Sequence, residues 1–485
     1  MSDPVVVIGS GAGGAVTALE LATAGVPVIV LEEGRAHPDA RERLGVLGAM
    51  QELYRGRGMT PIMGSVPIGY VEGRCVGGST EINSGFWCRT PREILVRWHA
   101  RFGLEDAGVA DLAPHFEWAE DLLAVGPHAA AWPPSTAVLA RGIEAMGWTV
   151  QEVPRVGARL GAEPPRAGPE AVARLGMSRS LLPRASAAGA ELRTGCRAIS
   201  LIFERDRVTG VLALQTQPDA TQELVTIPAG AVFSCAGPMQ TPALLQRSGI
   251  RRRVGSSLRV HPMLKVAARF TERLDPQASV LPLLQVREFW PEITLGGGFT
   301  SPGHLALVLS DCGVDPAPLF AEWQRMAVYY VAVRGTGRGS VRPSVIGEDA
   351  AVVRYELSAE DVAHLNRGLA RLATLLLAAG ATEVYPAVAG MPPILHESEA
   401  MQTLDEPVAG KRMGLTTVHA FSTCPMGSRQ DACAVDSYGR VYGYANLFVN
   451  DASMLPDSPG VNPQASIMAI ARRNVLHFKQ TCTSR

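Results

Sequence analysis

This 485-residue sequence has almost no net charge. Its 45 basic and 46 acidic side chains leave a formal charge of −1 at pH 7. Such a balance gives no electrostatic attraction for nucleic acid or for an anionic membrane surface. Hydrophobic residues make up 47% of the chain, yet no apolar run approaches the roughly 20 residues that span a bilayer. We therefore expect a globular protein with no nucleic-acid partner and no membrane segment.

Closely spaced cysteines and a leader-like N-terminus are also missing. The scattered cysteines exclude a disulfide framework and a zinc-finger pattern, so we expect buried, reduced thiols and no metal site. The chain enters a strand almost at once, without a basic and apolar leader, which predicts a cytoplasmic protein. The eight cysteines are Cys75, Cys88, Cys196, Cys235, Cys312, Cys424, Cys433 and Cys482.

The first 35 residues read as one strand–helix–strand unit built to hold a dinucleotide. The β-branched run Val5–Ile8 is typical of a buried parallel strand. It is followed by G-x-G-x-x-G, with Gly9, Gly11 and Gly14 in the required places. These glycines serve the tight turn, the close approach to a pyrophosphate, and the packing of helix on strand. A helix over residues 13–24 then places its positive N-terminal end under the phosphates.

An acidic residue completes this unit. The second predicted strand, residues 26–31, ends at Glu32, which lies 18 residues after Gly14. A carboxylate there can accept hydrogen bonds from both ribose hydroxyls. FAD and NAD present the same adenosine pyrophosphate, so the unit predicts a dinucleotide without choosing between them.

The pattern changes along the rest of the chain. Glycines and hydroxyls at residues 77–85 form a second candidate anion cradle. Residues 258–343 favour alternating strands, including one at Leu305–Leu309. A further strand at residues 350–356 precedes a helix capped by Ser358. The predicted fold class is therefore α/β, with a Rossmann-like domain and a second α+β domain on an antiparallel sheet. The predicted boundaries are 1–100, 185–256 and 412–485 for the FAD-binding domain, and 101–184 and 257–411 for the substrate-binding domain and excursions.

Four ordered segments together resemble the glucose–methanol–choline (GMC) family of FAD-dependent oxidoreductases. The segments are the N-terminal unit, Gly77–Asn83, Gly237–Ile250, and the C-terminal pair His419–Gly427 and Val449–Pro463. The resemblance implies a discontinuous FAD-binding domain and a substrate domain whose antiparallel sheet covers the flavin. It implies cofactor contacts at Gly9, Gly11, Ala12, Gly13, Gly14, Glu32, Gly78, Ser79, Asn83, Ala198, Ala236, Asp451, Ala452 and Asn462.

The resemblance also implies the catalytic pair. His419 matches the family's catalytic histidine, and Asn462, 43 residues later, matches its partner. Ile82 occupies the position at which some members tether FAD covalently, so non-covalent FAD is expected. His261 matches a recurrent family histidine, for which we expect a structural hydrogen bond. Ser422 departs from the family pattern, which has glycine there.

These residues predict hydride transfer from an alcohol carbon to flavin N5, with an aldehyde or ketone as product and oxygen or another acceptor taking the electrons. Similarity to bacterial members, with Ser422 and Pro425 in the final motif, favours a sugar or amino-sugar hydroxyl. Arg89-Thr90-Pro91 resembles instead the branch that acts on long-chain or steroid alcohols. Two further alternatives are an NAD-dependent dehydrogenase and a flavin-binding protein without turnover. The latter requires that His419 and Asn462 do not converge on one pocket.

Overall fold

A parallel sheet of five strands lies at the centre of the nucleotide-binding half. The structure, a computed structural model, describes residues 3–37, 48–127, 132–157, 175–276, 284–344 and 351–482. We call this sheet the nucleotide sheet. Its strands, in spatial order, are Leu447–Val449, Ala231–Ser234, Val5–Ile8, Val28–Glu32 and Glu191–Thr194.

Both faces of the nucleotide sheet are buried, as its uninterrupted apolar strands require. Val5 and Val7 pack on one face in a cluster that includes Phe478, whereas Val6 and Ile8 join a separate cluster on the other face. The helix Ala12–Thr23 packs against the helices Leu181–Ala187 and Gln464–Cys482.

A nine-stranded sheet, which we call the large sheet, forms the second half. Its strands run antiparallel except where Leu415–Thr417 pairs in parallel with Ile68–Tyr70. The helices Pro134–Ala145, Pro302–Cys312 and Ala359–Ala378 pack on it. In spatial order the strands are Thr60–Ile62, Ile68–Tyr70, Leu415–Thr417, Met263–Phe270, Met326–Val333, Ile293–Gly297, Leu284–Val286 and Val150–Glu152, and Ala381–Pro386 also pairs with Met263–Phe270.

Smaller elements complete the described residues. Three strands form one minor sheet, Cys196–Glu204, Arg207–Thr216 and Gln222–Pro228. Two strand pairs are Arg259–Val260 with Ala420–Phe421 and Arg338–Pro343 with Ala351–Glu356. Further helices are Arg92–Phe102, Val109–Leu122, Gly237–Arg247, Ala317–Phe320 and Glu397–Asp405, and 3₁₀ turns are Arg55–Arg57, Gly78–Glu81, Trp323–Arg325, Gly410–Arg412 and Ala452–Met454.

This architecture confirms the predicted fold class, a Rossmann-like α/β part beside an α+β part on an antiparallel sheet. The strands within residues 60–70 and 415–417 join the large sheet, although the predicted boundaries place them in the FAD-binding domain. The helix Val109–Leu122, in a predicted excursion, packs against the last helix. The domain boundaries themselves stay a prediction.

Some predictions of individual helices and strands agree with the structure, and others do not. The predicted strand at Leu305–Leu309 is wrong, because these residues lie in the helix Pro302–Cys312, whose buried side chains Leu305, Val308, Leu309 and Cys312 follow helical spacing. The sequence also predicts a last helix from Gln464 to Asn474, and in the structure this helix extends to Cys482. The Ser358 cap is confirmed: its Oγ accepts from Asp361 N at 3.0 Å.

The cysteines agree with the expectation of reduced thiols. The seven from Cys75 to Cys433 are buried and free, whereas the side chain of Cys482 lies outside the described residues. None of the helices in the described ranges combines the length and apolar character needed to cross a bilayer.

Ser422 stands in a backbone conformation that favours glycine. Its φ is +66°, and its side chain is buried with no hydrogen-bond partner for Oγ among the described residues. The position is held in place because Ser422 N donates to Ala452 O at 3.3 Å and Ser257 Oγ donates to Ser422 O at 2.6 Å. A left-handed backbone and an unsatisfied hydroxyl each cost stability.

We therefore predict that Ser422→Gly raises the free energy of unfolding by about 1 kcal/mol, after the extra unfolded-state entropy of glycine is subtracted. Denaturant unfolding of the flavin-loaded protein measures this. Ser422→Ala separates the causes, since it removes the hydroxyl but keeps the left-handed backbone. A glycine variant less stable than the wild type would show that neither cost is present.

Candidate active site

The glycine turn after the first strand is packed by backbone on three sides and open on one. Gly9 has φ +102°, and a Cβ added to Gly13 would lie 1.8 Å from the carbonyl oxygen of Asn450. A Cβ on Gly14 would lie 1.9 Å from Gly9 O, so this glycine allows the helix to pack on the turn. Gly11 differs, because a Cβ there would meet nothing within 4 Å. Gly11 faces open space where a ligand can approach.

That space is a cavity, which we call the nucleotide cavity, at the carboxyl ends of the nucleotide sheet. Nearly all the predicted cofactor residues line it; Gly14 instead lies in the packing beneath. The lining residues among the predicted set are Gly9, Gly11, Ala12, Gly13, Glu32, Gly78, Ser79, Asn83, Ala198, Ala236, Asp451, Ala452 and Asn462.

Glu32 holds the glycine turn as well as facing the cavity. Its Oε2 accepts from Ser10 N at 3.1 Å and from Ser10 Oγ at 2.6 Å, and its Oε1 accepts from Gly34 N at 2.9 Å. Ser10 Oγ in turn accepts from Gly77 N at 2.9 Å. Burial raises the pKa of Glu32, which these hydrogen bonds oppose. The carboxylate therefore ties both candidate anion cradles together, a role that the sequence did not reveal.

Asp451 plays a similar part on the opposite side. It is buried, and burial raises its pKa against four hydrogen bonds. Its Oδ2 accepts from Gly237 N at 2.8 Å and from Thr241 Oγ1 at 2.5 Å. Its Oδ1 accepts from Ser453 N at 2.8 Å and also from the Ser453 hydroxyl. These bonds fix the turn that leads into the helix Gly237–Arg247.

The remaining lining residues fit a dinucleotide. The helix Ala12–Thr23 starts at Gly11 without a side-chain cap, so its first N–H groups are left for an anion. Gly78 lies close to this helix start, since a Cβ added to Gly78 would lie 3.2 Å from Gly11 Cα. The strand Cys196–Glu204 has an irregularity beside Ala198, which lines the cavity and is one of the predicted cofactor contacts. An uncapped helix start, open glycines and a carboxylate are the groups that hold an FAD adenosine pyrophosphate.

His419 lines this cavity and belongs to a chain of hydrogen bonds. Its Nδ1 lies 3.0 Å from His261 Nδ1, and His261 Nε2 lies 2.7 Å from Ser458 Oγ. Burial, and then the charge of Lys265, lower the pKa of His419 to about 4. Burial also lowers the pKa of His261 well below its usual value. Both imidazoles are therefore neutral near pH 7.

Asn462 converges on the same imidazole. Its Nδ2 lies 3.3 Å from His419 Nε2, and its Oδ1 accepts from Gln285 Nε2 at 3.3 Å. Gln285 is buried, and its Nε2 also donates to the Tyr330 hydroxyl at 2.9 Å. Gln285 thus orients the Asn462 amide so that Nδ2 faces the histidine. The alternative of a flavin-binding protein whose His419 and Asn462 lie apart is not supported.

A second cavity, which we call the substrate cavity, lies under the large sheet. It meets the nucleotide cavity at residues that line both, among them Ile82, Ser84, Phe86, Val418, His419 and Asn462. The two candidate catalytic side chains therefore stand where a flavin ring and a substrate would touch.

Sequence reasoning missed several of these residues. His261 was expected to make a structural hydrogen bond, and its partner is His419 itself. Nothing in the local sequence marks Gln285 or Ser458, which are distant along the chain. The sequence also predicts that His99 lies on a core face of a helix, whereas its side chain is exposed. Within the described ranges, no cluster of three or more His, Cys, Asp or Glu could hold a metal ion.

A glycine-turn nucleotide cavity that meets a second cavity at a His–Asn pair is the arrangement expected of a flavin-dependent oxidoreductase. Comparisons with known proteins agree. The GMC oxidoreductase profiles match residues 50–263 and 336–471, and an FAD binding domain profile matches residues 4–42. The chain belongs to the GMC oxidoreductase family, and it is an FAD-dependent enzyme of the alcohol oxidase and dehydrogenase type.

Individual relatives span the whole chain. A GMC-type oxidoreductase, y4nJ of Sinorhizobium fredii, is 39% identical over 96% of this chain and 93% of its own length. The long-chain-alcohol oxidase FAO3 of Arabidopsis thaliana is 27% identical over 96% of this chain and 66% of its own. Among solved structures, pyridoxine 4-oxidase from Mesorbium loti superposes with a TM-score of 0.74 at 18% identity, covering 99% of each chain. At that identity the structural likeness shows the fold alone.

The contrast between two glycines gives a test of the cavity. We predict that Gly11→Ala folds normally but retains FAD less well, because the new methyl group enters the open space. Gly13→Ala should instead destabilise the protein, since its methyl group would clash with Asn450 O, 1.8 Å away.

Flavin absorbance per protein and denaturant unfolding, measured on both variants, separate the two effects. A Gly11→Ala protein that holds FAD as tightly as the wild type would place the pyrophosphate elsewhere.

Proposed function

We propose that the protein oxidises an alcohol to an aldehyde or ketone, with His419 as the base and Asn462 as the group that holds the hydroxyl. One observation supports this proposal most directly: Asn462 Nδ2 lies 3.3 Å from His419 Nε2, where the two cavities meet. FAD, when bound, supplies the acceptor for the hydride that leaves the alcohol carbon. It is held without a covalent bond, since Ile82 offers no nucleophile.

The hydrogen-bond chain assigns the proton on His419. Because Asn462 Nδ2 donates towards Nε2, that nitrogen is unprotonated and the Nδ1–H donates to His261 Nδ1. The Nε2–H of His261 then donates to Ser458 Oγ. The lone pair of His419 Nε2 therefore points towards Asn462 Nδ2 at the cavity junction, and a bound hydroxyl that takes over this contact donates to Nε2. A neutral imidazole in this state can accept the hydroxyl proton of a bound alcohol.

The substrate cavity bears on the choice of alcohol. Its wall is predominantly apolar, with Met50, Met59, Met263, Phe299, Leu307 and Val328 among the lining residues. This wall favours an alcohol with a substantial apolar body, as does the similarity to long-chain-alcohol oxidases. The amino-sugar prediction has no structural support, because a substrate ammonium would meet the cations Lys265 and Arg287. A neutral sugar and a cytoplasmic location stay predictions.

Replacement of His419 tests the base. We predict that His419→Gln slows flavin reduction by about 10²–10⁴-fold, which is the usual contribution of a positioned base. Asn462→Ala should cost less, because it removes orientation and one hydrogen bond rather than the proton acceptor. Anaerobic stopped-flow mixing with excess of the best alcohol from a panel of sugars, amino sugars and long-chain alcohols measures the rate.

The matched control is His99→Ala, which removes an exposed imidazole that lines neither cavity. Flavin absorbance confirms that each variant is loaded. Reduction of His419→Gln at the wild-type rate would remove His419 from the role of base.

A further inference from the structure

The substrate cavity holds a lysine that the oxidation itself does not use. Lys265 lies on the strand Met263–Phe270 and lines the cavity. It is half-buried, and its Nζ lies 5.3 Å from the ring centroid of Tyr330, its cross-strand neighbour. Burial lowers the pKa of Lys265 to about 8, so the ammonium form still predominates near pH 7.

No carboxylate neutralises this ammonium in the described part of the chain. The only acidic side chain among the described lining residues is Asp311, and burial alone shifts the pKa of Lys265, with no contribution from the charge of that carboxylate. Its Oδ2 packs instead beside Gly414, where an added Cβ would lie 2.3 Å away. His304, also in the wall, is neutral near pH 7, because burial and then the charge of Lys265 lower its pKa to about 4.

A second cation adds to the excess of positive charge in the substrate cavity. Arg287 lines the same cavity, and its Nη2 donates to the buried Cys88 Sγ at 3.0 Å. Burial dominates in raising the pKa of that thiol, so Cys88 is neutral and does not balance the guanidinium. Two cations against one carboxylate leave the described lining of the cavity positive. A partly buried cation without a carboxylate partner loses hydration that no opposite charge replaces, so an anionic ligand would be stabilised here.

Lys265 lies beyond His261 along the chain, yet it is close enough for its charge to lower the pKa of His419. His261, which contacts the base, lies four residues before Lys265. An extended chain of that length spans at most about 14 Å. Apolar side chains such as Met263 and Val328 line the cavity along with them. The cavity can therefore hold a hydroxyl at His419 and the apolar body of a substrate along its wall, and it presents a positive group at Lys265.

We propose that Lys265 binds a carboxylate on the alcohol substrate, so that the preferred substrates are hydroxy acids whose hydroxyl and carboxylate are separated by an apolar chain. The proposal rests on the proposed function, which it deepens by naming the substrate class. The ammonium donates a charge-assisted hydrogen bond to the carboxylate, while Asn462 and His419 hold the hydroxyl at the other end. A single charge-assisted bond contributes roughly 10- to 100-fold in affinity.

The test compares substrates that differ only at the far end. The flavin-loaded enzyme is assayed with 1-octanol, 8-hydroxyoctanoate and 8-amino-1-octanol, and with the ten- and twelve-carbon analogues of each. We predict that the ratio of kcat/KM for the best hydroxy acid to that for its matched alcohol is about 10 to 100 in the wild type. In Lys265→Met the ratio falls to about one, and Lys265→Arg restores part of it.

The matched control is Lys411→Met, which removes an exposed lysine and keeps the wild-type ratio. A ratio that is unchanged in Lys265→Met, or a preference for the amino alcohol, would overturn the proposal.

A binding measurement separates this proposal from the proposed function. Octanoate, decanoate and dodecanoate, which have no hydroxyl, are titrated into the enzyme while the flavin absorption spectrum is followed. We predict saturable binding that weakens at least tenfold in Lys265→Met. In the wild type it weakens as pH rises above about 8, because the ammonium loses its proton. Carboxylate binding without oxidation of any alcohol would contradict the proposed function alone, whereas equal binding by both proteins would contradict the role of Lys265.

Discussion

One chain of hydrogen bonds fixes the state of the base on which the chemistry depends. It runs from Ser458 through His261 and His419 to Asn462 and Gln285. Each member restricts its neighbour: Gln285 orients the Asn462 amide, and that amide determines which ring nitrogen of His419 carries the proton. Without these partners, a buried imidazole could present either tautomer to the substrate. The active site is therefore defined by a network rather than by two isolated residues.

The two halves of the fold bring this network together. Asn462 and Ser458 follow the last strand of the nucleotide sheet, whereas Gln285 lies in a strand of the large sheet. His419 follows Leu415–Thr417, a strand of the large sheet, and precedes Ala420–Phe421. His419 and Asn462 therefore lie where the two halves of the fold meet. Carboxylates play the corresponding part in the nucleotide cavity, where Glu32 and Asp451 hold glycine turns in place.

Sequence reasoning succeeded where the signal is local. The glycine turn and Glu32 lie within one strand–helix–strand unit, so their spacing reflects one compact structure. His419 and Asn462 were found because each sits in a motif of the family. Gln285 could not be found in this way, since its partner Asn462 is 177 residues away and no spacing rule connects them.

The secondary structure of short apolar runs also could not be predicted reliably from the sequence. Leu305–Leu309 fits a buried strand or a helix equally well by hydrophobicity, and the helix forms because Ser301 and Pro302 start it.

The role of Lys265 could not be predicted from the sequence for a different reason. A lone lysine in a strand carries no pattern, and its meaning arises only when the cavity around it is seen to hold no paired carboxylate within the described residues.

The pH dependence of flavin reduction tests the central claim, a neutral His419 acting as base, most directly. Burial and the Lys265 charge lower the pKa of His419 to about 4. The rate constant for anaerobic reduction, measured by pH-jump stopped flow, should stay level from pH 7 to about 5 and fall below that, as the imidazole gains a proton and can no longer accept one. This fall should disappear in His419→Gln. A midpoint near the unperturbed value of about 6.5, or an acidic fall that survives in His419→Gln, would contradict the account.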